Sequence, residues 1–421
     1  MKRISFLSLL VPVLLAFNGG AAHAQYDPEK QFSFLRDLYN RHDKNLDDYL
    51  IRELQQFLSL STDSLAGAEA QFLMARVFTE KGDEHSALAA YLKTVFLYPG
   101  SGRSKEGEEA ARKIITGADP YKGLQDKLLL FVDNKNHDPS LANRFYDYLQ
   151  LLTTIDATKQ YDWLLAQTAE FVRLFPQDLR LDAVYTWNAD LLVKKNMPRE
   201  AAASYLRLDY AFPHSRLLAY ARYQRGVLLS RELGEHKAAI EALEQVITHH
   251  DTSAYAAPAL FMLGVIKREK TKDYRGALAH YRKLVDSYPQ NDKVIDALFA
   301  IGGIQAENLK DYPAAVVAYD EIVEKFKTDK RGAQALDEAA KVYKDKLQDY
   351  NKAAAYYAKI TEIYPDDEKA PEVLLKAGVL CEEKLKDTHQ AVHYYNSVLQ
   401  KFPNHKKADE ARKKLDKLQV H

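Results

Sequence analysis

The side chains best suited to bind a metal ion stand together at His249, His250 and Asp251. Imidazole and carboxylate groups are common zinc ligands, but a site needs several of them to converge on one point. Adjacent histidines on a helix point in different directions, and no third ligand stands nearby at a useful spacing. The pattern favours a solvated turn, and no metal site is expected.

Cys381 is the only cysteine, so an internal disulfide is excluded. Its position, three residues after Gly378 within a helical pattern, favours a buried structural thiol. A reactive thiol or one that cross-links a partner is the alternative. The sequence has no phosphate-binding glycine loop, nucleophile elbow or metalloprotease motif, so neither catalysis nor a cofactor is predicted.

Positive charge is concentrated near the carboxyl end, where residues 401–417 hold seven basic and three acidic side chains. A solvated capping helix is the expected explanation, and a patch for an anionic membrane or an acidic partner is the alternative. Over the whole chain, 59 basic residues balance 59 acidic ones, so no net charge attracts nucleic acid. Hydrophobic residues at 47% are enough to form a substantial core.

The elements that carry these residues repeat every 38 residues. Aromatic-proline pairs end at Pro99, Pro213, Pro289, Pro365 and Pro403, whose separations are multiples of 38. Apolar residues between the prolines recur at helical spacing and never alternate as in a strand, which predicts an all-α fold. Small residues keep the same period at Ala277, Ala315, Ala353 and Ala391, and at Gly226, Gly264, Gly302 and Gly378.

The repeated residues have mechanical roles in a helix pair. Ala277 and Tyr281 are four apart and share a helix face, so the alanine allows a neighbouring helix to approach while the tyrosine fills the space beside it. Gly264 does the same for the opposite helix. Pro289 ends the second helix because it cannot continue the hydrogen-bond ladder.

The pattern resembles the tetratricopeptide repeat, in which W-x2-L-G-x2-Y is followed by A-x3-F and then by proline over 34 residues. The resemblance implies a right-handed superhelical solenoid of antiparallel helix pairs. The matching residues are Leu260, Leu263 and Gly264, then Ala277 and Tyr281, and finally Pro289.

The longer repeat, with leucine in place of tryptophan, is similar to divergent repeats of the bacterial cell envelope. Examples are those of the outer-membrane assembly lipoprotein of the β-barrel machinery and of the periplasmic coordinator of the Tol-Pal system. The absence of a lipid-accepting cysteine argues against the first. The resemblance implies a scaffold that binds other proteins or peptide segments.

Residues 1–24 are typical of a signal peptide, with Lys2 and Arg3 before an apolar run and small residues up to Ala24. The apolar run is too short to span a bilayer, and no later segment is long enough. We expect cleavage after Ala24, export to the periplasm or the medium, no lipid anchor and no transmembrane segment.

The repeat pattern also predicts the domain organisation. Helix pairs of the tetratricopeptide type are expected over residues 25–99 and a regular array over 177–403. Residues 100–176 are interpreted as degenerate helical repeats, with a non-repeat insert as the alternative. Residues 404–421 are expected to form the capping helix.

In solenoids of this type the first helix of each repeat lines the concave face, so the resemblance places a binding groove there. Aromatic residues beside charges suit peptide binding, because rings supply contact area and charges set orientation. The alternative is that the rings only pack between repeats. The predicted groove residues are Tyr220, Tyr223, Phe261, Arg268, Asp296, Phe299 and Lys341.

The sequence is compatible with three functions. The first is a non-catalytic protein-binding scaffold in the periplasm, in envelope assembly or secretion. The second is a helper protein associated with peptidoglycan or an exported polysaccharide. The third is an enzyme with a divergent site in residues 100–176, for which no catalytic spacing is present.

Overall fold

The structure, a computed structural model, describes residues 27–60, 64–117, 121–133, 138–154 and 161–419. The predicted signal peptide, residues 1–24, lies outside the described residues. Within them the chain forms helices joined by turns and contains no strand, which confirms the all-α prediction. The chain divides into two compact units, Met1–Pro176 and Gln177–His421.

The first unit contains eight α-helices and a short 3-10 helix, Lys44–Leu46, among its described residues. The fourth is buried around its whole circumference from Ser86 to Leu97, because the third, fifth and seventh helices all pack against it. The helices are α1 (Pro28–Asn40), α2 (Asp47–Leu60), α3 (Ser64–Glu80), α4 (Glu84–Leu97), α5 (Gly102–Gly117), α6 (Gln125–Asp133), α7 (Leu141–Thr154) and α8 (Tyr161–Leu174).

The second unit is a stack of helix pairs in which each helix packs on the next along the chain. We call the odd-numbered helices α9–α19 the A helices and the even-numbered helices α10–α20 the B helices. The bounds are α9 (Leu181–Lys194), α10 (Pro198–Ala211), α11 (Leu218–Arg231), α12 (His236–His249), α13 (Ala256–Glu269), α14 (Tyr274–Ser287), α15 (Val294–Gly303), α16 (Tyr312–Lys325), α17 (Arg331–Lys341), α18 (Tyr350–Ile363), α19 (Ala370–Leu380), α20 (Thr388–Lys401) and α21 (Lys406–Gln419).

Local chemistry starts and stops the B helices. The carboxylate of Asp273 caps α14 by accepting from the backbone N–H of Gly276 at 2.9 Å, and this hydrogen bond lowers the pKa of Asp273. Asp311, Asp349 and Asp387 cap α16, α18 and α20 in the same way. Each of Pro289, Pro365 and Pro403 lies two residues beyond the end of a B helix.

Small residues allow the two helices of a repeat to approach closely. Ala277, Ala315, Ala353 and Ala391 are completely buried. A methyl group added to Gly264 would lie 2.5 Å from the ring of Tyr281, far inside normal contact distance. The same clash would occur for Gly302 against Tyr319 and Gly378 against Tyr395, and Gly226 is covered by Leu243.

The turns between A and B helices, and the turn between α3 and α4, carry a feature that was not predicted from the sequence. One residue per repeat adopts a left-handed backbone conformation, and glycine occupies this position only at Gly82 and Gly234 among those described. The other occupants are Asn196, Lys272, Lys310, Gln348 and Lys386, and all of these positions are separated by multiples of 38. Before the last three, the A helix widens into a π-helical turn, at Ile304–Leu309, Val342–Leu347 and Cys381–Leu385.

The final helix, α21, covers the last B helix with a narrow apolar face made of Ala408, Ala411 and Leu415. Its other faces are polar, as expected of a helix that closes a stack. Among the described residues, no helix is both long enough and apolar enough to cross a membrane.

Candidate protein-binding groove

Three successive A helices of the second unit enclose a hollow of about 400 Å³, which we call the groove. Four of the seven predicted residues meet there: Phe261 and Arg268 from α13, and Asp296 and Phe299 from α15. The other lining residues are Val265, Tyr281, Ala300, Arg331 and Gln334.

The floor of the groove is aromatic. Phe261 lies with its ring centroid 5.6 Å from that of the buried Tyr281, and Phe299 lies 6.1 Å from that of Tyr319. Both phenylalanines are only half-buried. Each ring therefore packs on the core with one part and leaves another part open to the groove, and binding of a peptide by these rings stays a prediction.

Charged side chains surround this floor. Arg331 donates to Asp296 at 3.2 Å, and Lys293 lies 3.6 Å from the same carboxylate. The ammonium of Lys293 also stands 5.9 Å from the ring centroid of Phe261. Arg268 pairs with its neighbour Glu269, at 2.8 Å. The rim thus offers cations and a carboxylate within reach of the apolar floor.

Gly303 lies near the groove on α15, although it is not one of the residues that line the hollow. It follows Phe299 by four residues and therefore lies on the same helix face. A methyl group added there would meet nothing within 4 Å, whereas one added to its neighbour Gly302 would collide with Tyr319. The missing side chain at Gly303 therefore leaves open space on the helix face that carries Phe299.

Tyr220 and Tyr223 lie outside the groove, on α11. The hydroxyl of Tyr220 donates to Asp190 at 2.7 Å, and burial together with this bond raises the pKa of Tyr220. Tyr223 stacks on Tyr255 with ring centroids 5.7 Å apart. Both tyrosines are half-buried and continue the aromatic surface towards α11.

Lys341 lines an adjoining hollow of about 540 Å³ between α17 and α19. Its ammonium lies 2.9 Å from both Asp337 and Glu338. Burial opposes the charged form, but the two carboxylates outweigh it and raise the pKa of Lys341. This part of the A-helix surface is therefore charged where the neighbouring part is aromatic.

The other reactive residues are accounted for by packing. Cys381 is completely buried, and burial raises the pKa of its thiol to about 11, so the thiolate is scarce at neutral pH. His249 is exposed at the end of α12, while His250 is half-buried and contacts Arg222. In the part of the chain that the structure describes, no three His, Cys, Asp or Glu side chains are placed to share a metal ion.

Four segments match the family model of the tetratricopeptide repeat: residues 220–253, 258–291, 334–367 and 372–405. They coincide with the pairs α11–α12, α13–α14, α17–α18 and α19–α20. The pair α15–α16 lies between the second and third matches. No curated protein sequence matches the chain.

Several solved structures of repeat proteins are similar to this chain. The C-terminal part of a TPR repeat-containing protein from Cytophaga hutchinsonii is 16% identical, with a TM-score of 0.39, and the match covers 60% of this chain and 97% of that one. A tetratricopeptide repeat protein from Parabacteroides merdae is 14% identical, with a TM-score of 0.34 and coverage of 72% and 100%. PilF from Pseudomonas aeruginosa is 16% identical, with a TM-score of 0.33 and coverage of 55% and 97%.

Proposed function

We propose that this chain, four of whose helix pairs are tetratricopeptide repeats, is a non-catalytic scaffold that binds a partner protein or peptide segment in the groove. Tetratricopeptide repeats generally serve as interaction scaffolds. The observation that carries the proposal is the half-buried pair Phe261 and Phe299, which face a hollow bordered by Arg268, Asp296 and Arg331.

The groove has the chemistry of a peptide site. Partly exposed rings offer a large contact area at little entropic cost, and they dominate the energy of many interfaces. Charges at the rim of the groove help to orient the bound segment and to select the partner. A hollow of about 400 Å³ lined by Val265, Phe299 and Ala300 can accept one or two apolar side chains of a bound segment.

We also propose that the protein works in the periplasm, in envelope assembly or secretion, after cleavage following Ala24. This part of the proposal is supported by the order of basic, apolar and small residues at positions 1–24. Amino-terminal sequencing of the protein recovered from the periplasmic fraction should begin at Gln25. Recovery of the full-length chain from the cytoplasm would contradict it.

A photo-cross-linking experiment tests the binding function. A benzophenone amino acid replaces the exposed Gln334 at the groove, and partners are captured in cells and identified by mass spectrometry. Phe299→Ala should reduce the yield of cross-linked partner, because it removes the aromatic contact. Gly303→Leu should also reduce this yield, because it adds a bulky, helix-favouring side chain on the helix face of Phe299, where the glycine leaves open space.

The matched control is Tyr210→Ala, because Tyr210 is 81% exposed on α10 and does not line the groove. It should leave the yield unchanged. Equal yields from the wild type and from both groove variants would refute the proposed site. Retention of the purified chain on peptidoglycan, with no captured protein, would instead support the carbohydrate function.

A further inference from the structure

The junction between α10, α11 and α12 contains charged residues where the other repeats of the second unit are mostly apolar. Arg222, Arg225, Asp209 and His250 occupy these positions. In the next two repeats, the residues at the position of Arg222 are the completely buried Leu260 and Leu298. In the same two repeats the position of Arg225 is occupied by Leu263 and Ile301. The position of Asp209 is occupied by Ile247 and Val285, and the position of His250 by Tyr288 and Phe326.

These four residues form one connected cluster. Arg222 donates through Nε to Asp209 at 2.6 Å and approaches Nε2 of His250 through Nη1 at 3.1 Å. Arg225 donates to the other oxygen of Asp209 at 3.3 Å. The side chains of both arginines and of Asp209 are only 15% exposed. The junction between these helix pairs is therefore ionic where the others are mostly apolar.

The contact with Arg222 defines the protonation state of His250. A guanidinium group has no acceptor and does not lose its proton in proteins, so Nε2 of His250 must be the acceptor and carry no hydrogen. A proton added to Nε2 would remove this hydrogen bond and place a second positive charge against Arg222. Asp209 is the only carboxylate in the cluster, and it already accepts from both arginines.

The turn that begins at His250 ends in the aromatic surface of the A helices. The carbonyl of His250 accepts from the N–H of Ser253 at 3.0 Å, and Tyr255 follows at the start of α13. The Tyr255 ring contacts Tyr223, with centroids 5.7 Å apart, and Tyr220, with centroids 5.4 Å apart. A short turn therefore connects His250 to Tyr255, whose ring contacts Tyr220 and Tyr223.

We propose that the turn from His250 to Tyr255 is an acid-sensitive joint, which loosens the aromatic end of the A-helix surface when His250 takes up a proton. The effect on partner binding rests on the proposed function. The effect on the junction of α10, α11 and α12 does not.

The charges around His250 favour its neutral form. Burial lowers the pKa of His250, Arg222 and His249 lower it further, and Asp209 opposes them. Tyr288, at the end of α14, also reaches this turn, and its hydroxyl donates to the carbonyl of Asp251 at 2.6 Å. Since the folded pKa lies below that of the unfolded chain, the junction is most stable above about pH 6.5 and weakens as the pH falls below it.

Hydrogen exchange of the mature chain, followed by mass spectrometry between about pH 8 and pH 5, tests the joint in the range where histidine titrates. After correction for the intrinsic exchange rate, protection at the junction should fall on acidification. The loss should be roughly tenfold for each unit by which the pKa of His250 is lowered. Protection in α19 and α20 serves as the internal reference.

Two variants isolate His250. His250→Gln keeps a neutral side chain that can accept from Arg222 at every pH, and His250→Phe restores an aromatic residue at this position. Both should show protection at the junction that no longer changes with pH. His249→Gln, at an exposed neighbour, should behave as the wild type does. The proposal would be overturned if protection of the junction in the wild type did not change with pH. It would also be overturned if His250→Gln had the same pH dependence as the wild type.

Cross-linking at position 334 then separates the two proposals. The yield of captured partner should fall at acidic pH in the wild type and persist in His250→Gln. If no partner were captured at any pH, the proposed function would be contradicted. The hydrogen-exchange result would then still support or refute the acid-sensitive joint by itself. A captured partner whose yield depends equally on pH in both proteins would refute the link between His250 and the groove.

Discussion

Gly302 and Gly303 are adjacent residues of α15, yet they should respond oppositely to alanine. A methyl group at Gly302 would lie 2.5 Å from the Tyr319 ring, whereas one at Gly303 would meet nothing within 4 Å. Both substitutions gain the same helix preference, about 0.5 to 1 kcal/mol, because alanine loses less conformational entropy than glycine. Their difference in the free energy of unfolding therefore reports the contact with Tyr319 alone.

The size of that difference follows from the geometry. Ordinary contacts begin near 3.4 Å, so the ring of Tyr319 must move by roughly 1 Å to admit a methyl group at Gly302. Such overpacking typically costs about 1 to 3 kcal/mol. The equivalent pair in the next repeat is Ala340 and Tyr357, both buried, which shows that a methyl group can be accommodated after repacking. A value near the lower end of the range is therefore expected.

The assay must follow the two helices locally, because repeat arrays need not unfold in one step. Urea unfolding by circular dichroism gives the overall change, and hydrogen exchange of the amides in α15 and α16 gives the local one. Gly302→Ala should be about 1 to 3 kcal/mol less stable than Gly303→Ala. Equal stabilities, or a more stable Gly302→Ala, would show that close helix approach at this glycine does not hold the repeat together.

Three further predictions concern stability and reactivity. In the first unit Lys93 is 4% exposed and its ammonium lies 2.6 Å from the carboxylate of Glu170. Glu170→Gln should therefore lower the free energy of unfolding, measured in urea, by about 3 kcal/mol, because it leaves a buried charge unpaired. Replacing both residues with apolar ones should leave that free energy nearly unchanged. Lys310 has a φ of 61°, so Lys310→Gly should raise the free energy of unfolding by about 1 kcal/mol, and an unchanged value would contradict strain at this turn. Cys381 should react with a thiol reagent at neutral pH only after denaturation, and rapid labelling of the native chain would contradict its buried position.

The sequence determined the helical framework of the second unit because the relevant signals are local. A tyrosine four residues after a small residue occupies the same helix face wherever the repeat occurs, and Tyr281 and Tyr395 are accordingly buried. Proline ends a helix through its own ring and missing N–H, so the ends of the B helices could be assigned without knowing what packs on them. Phe261 and Phe299 were placed on one surface by the same periodicity.

Only the tertiary structure decided what faces each side chain. Lys93 has the same position in its repeat as the exposed Arg207 and Lys283, but it is buried because α7 covers α4. The contact of His250 with Arg222 depends equally on two helices that lie side by side only after folding. Periodicity states which face of a helix a residue occupies, whereas the neighbour across that face is set by how separate helices pack.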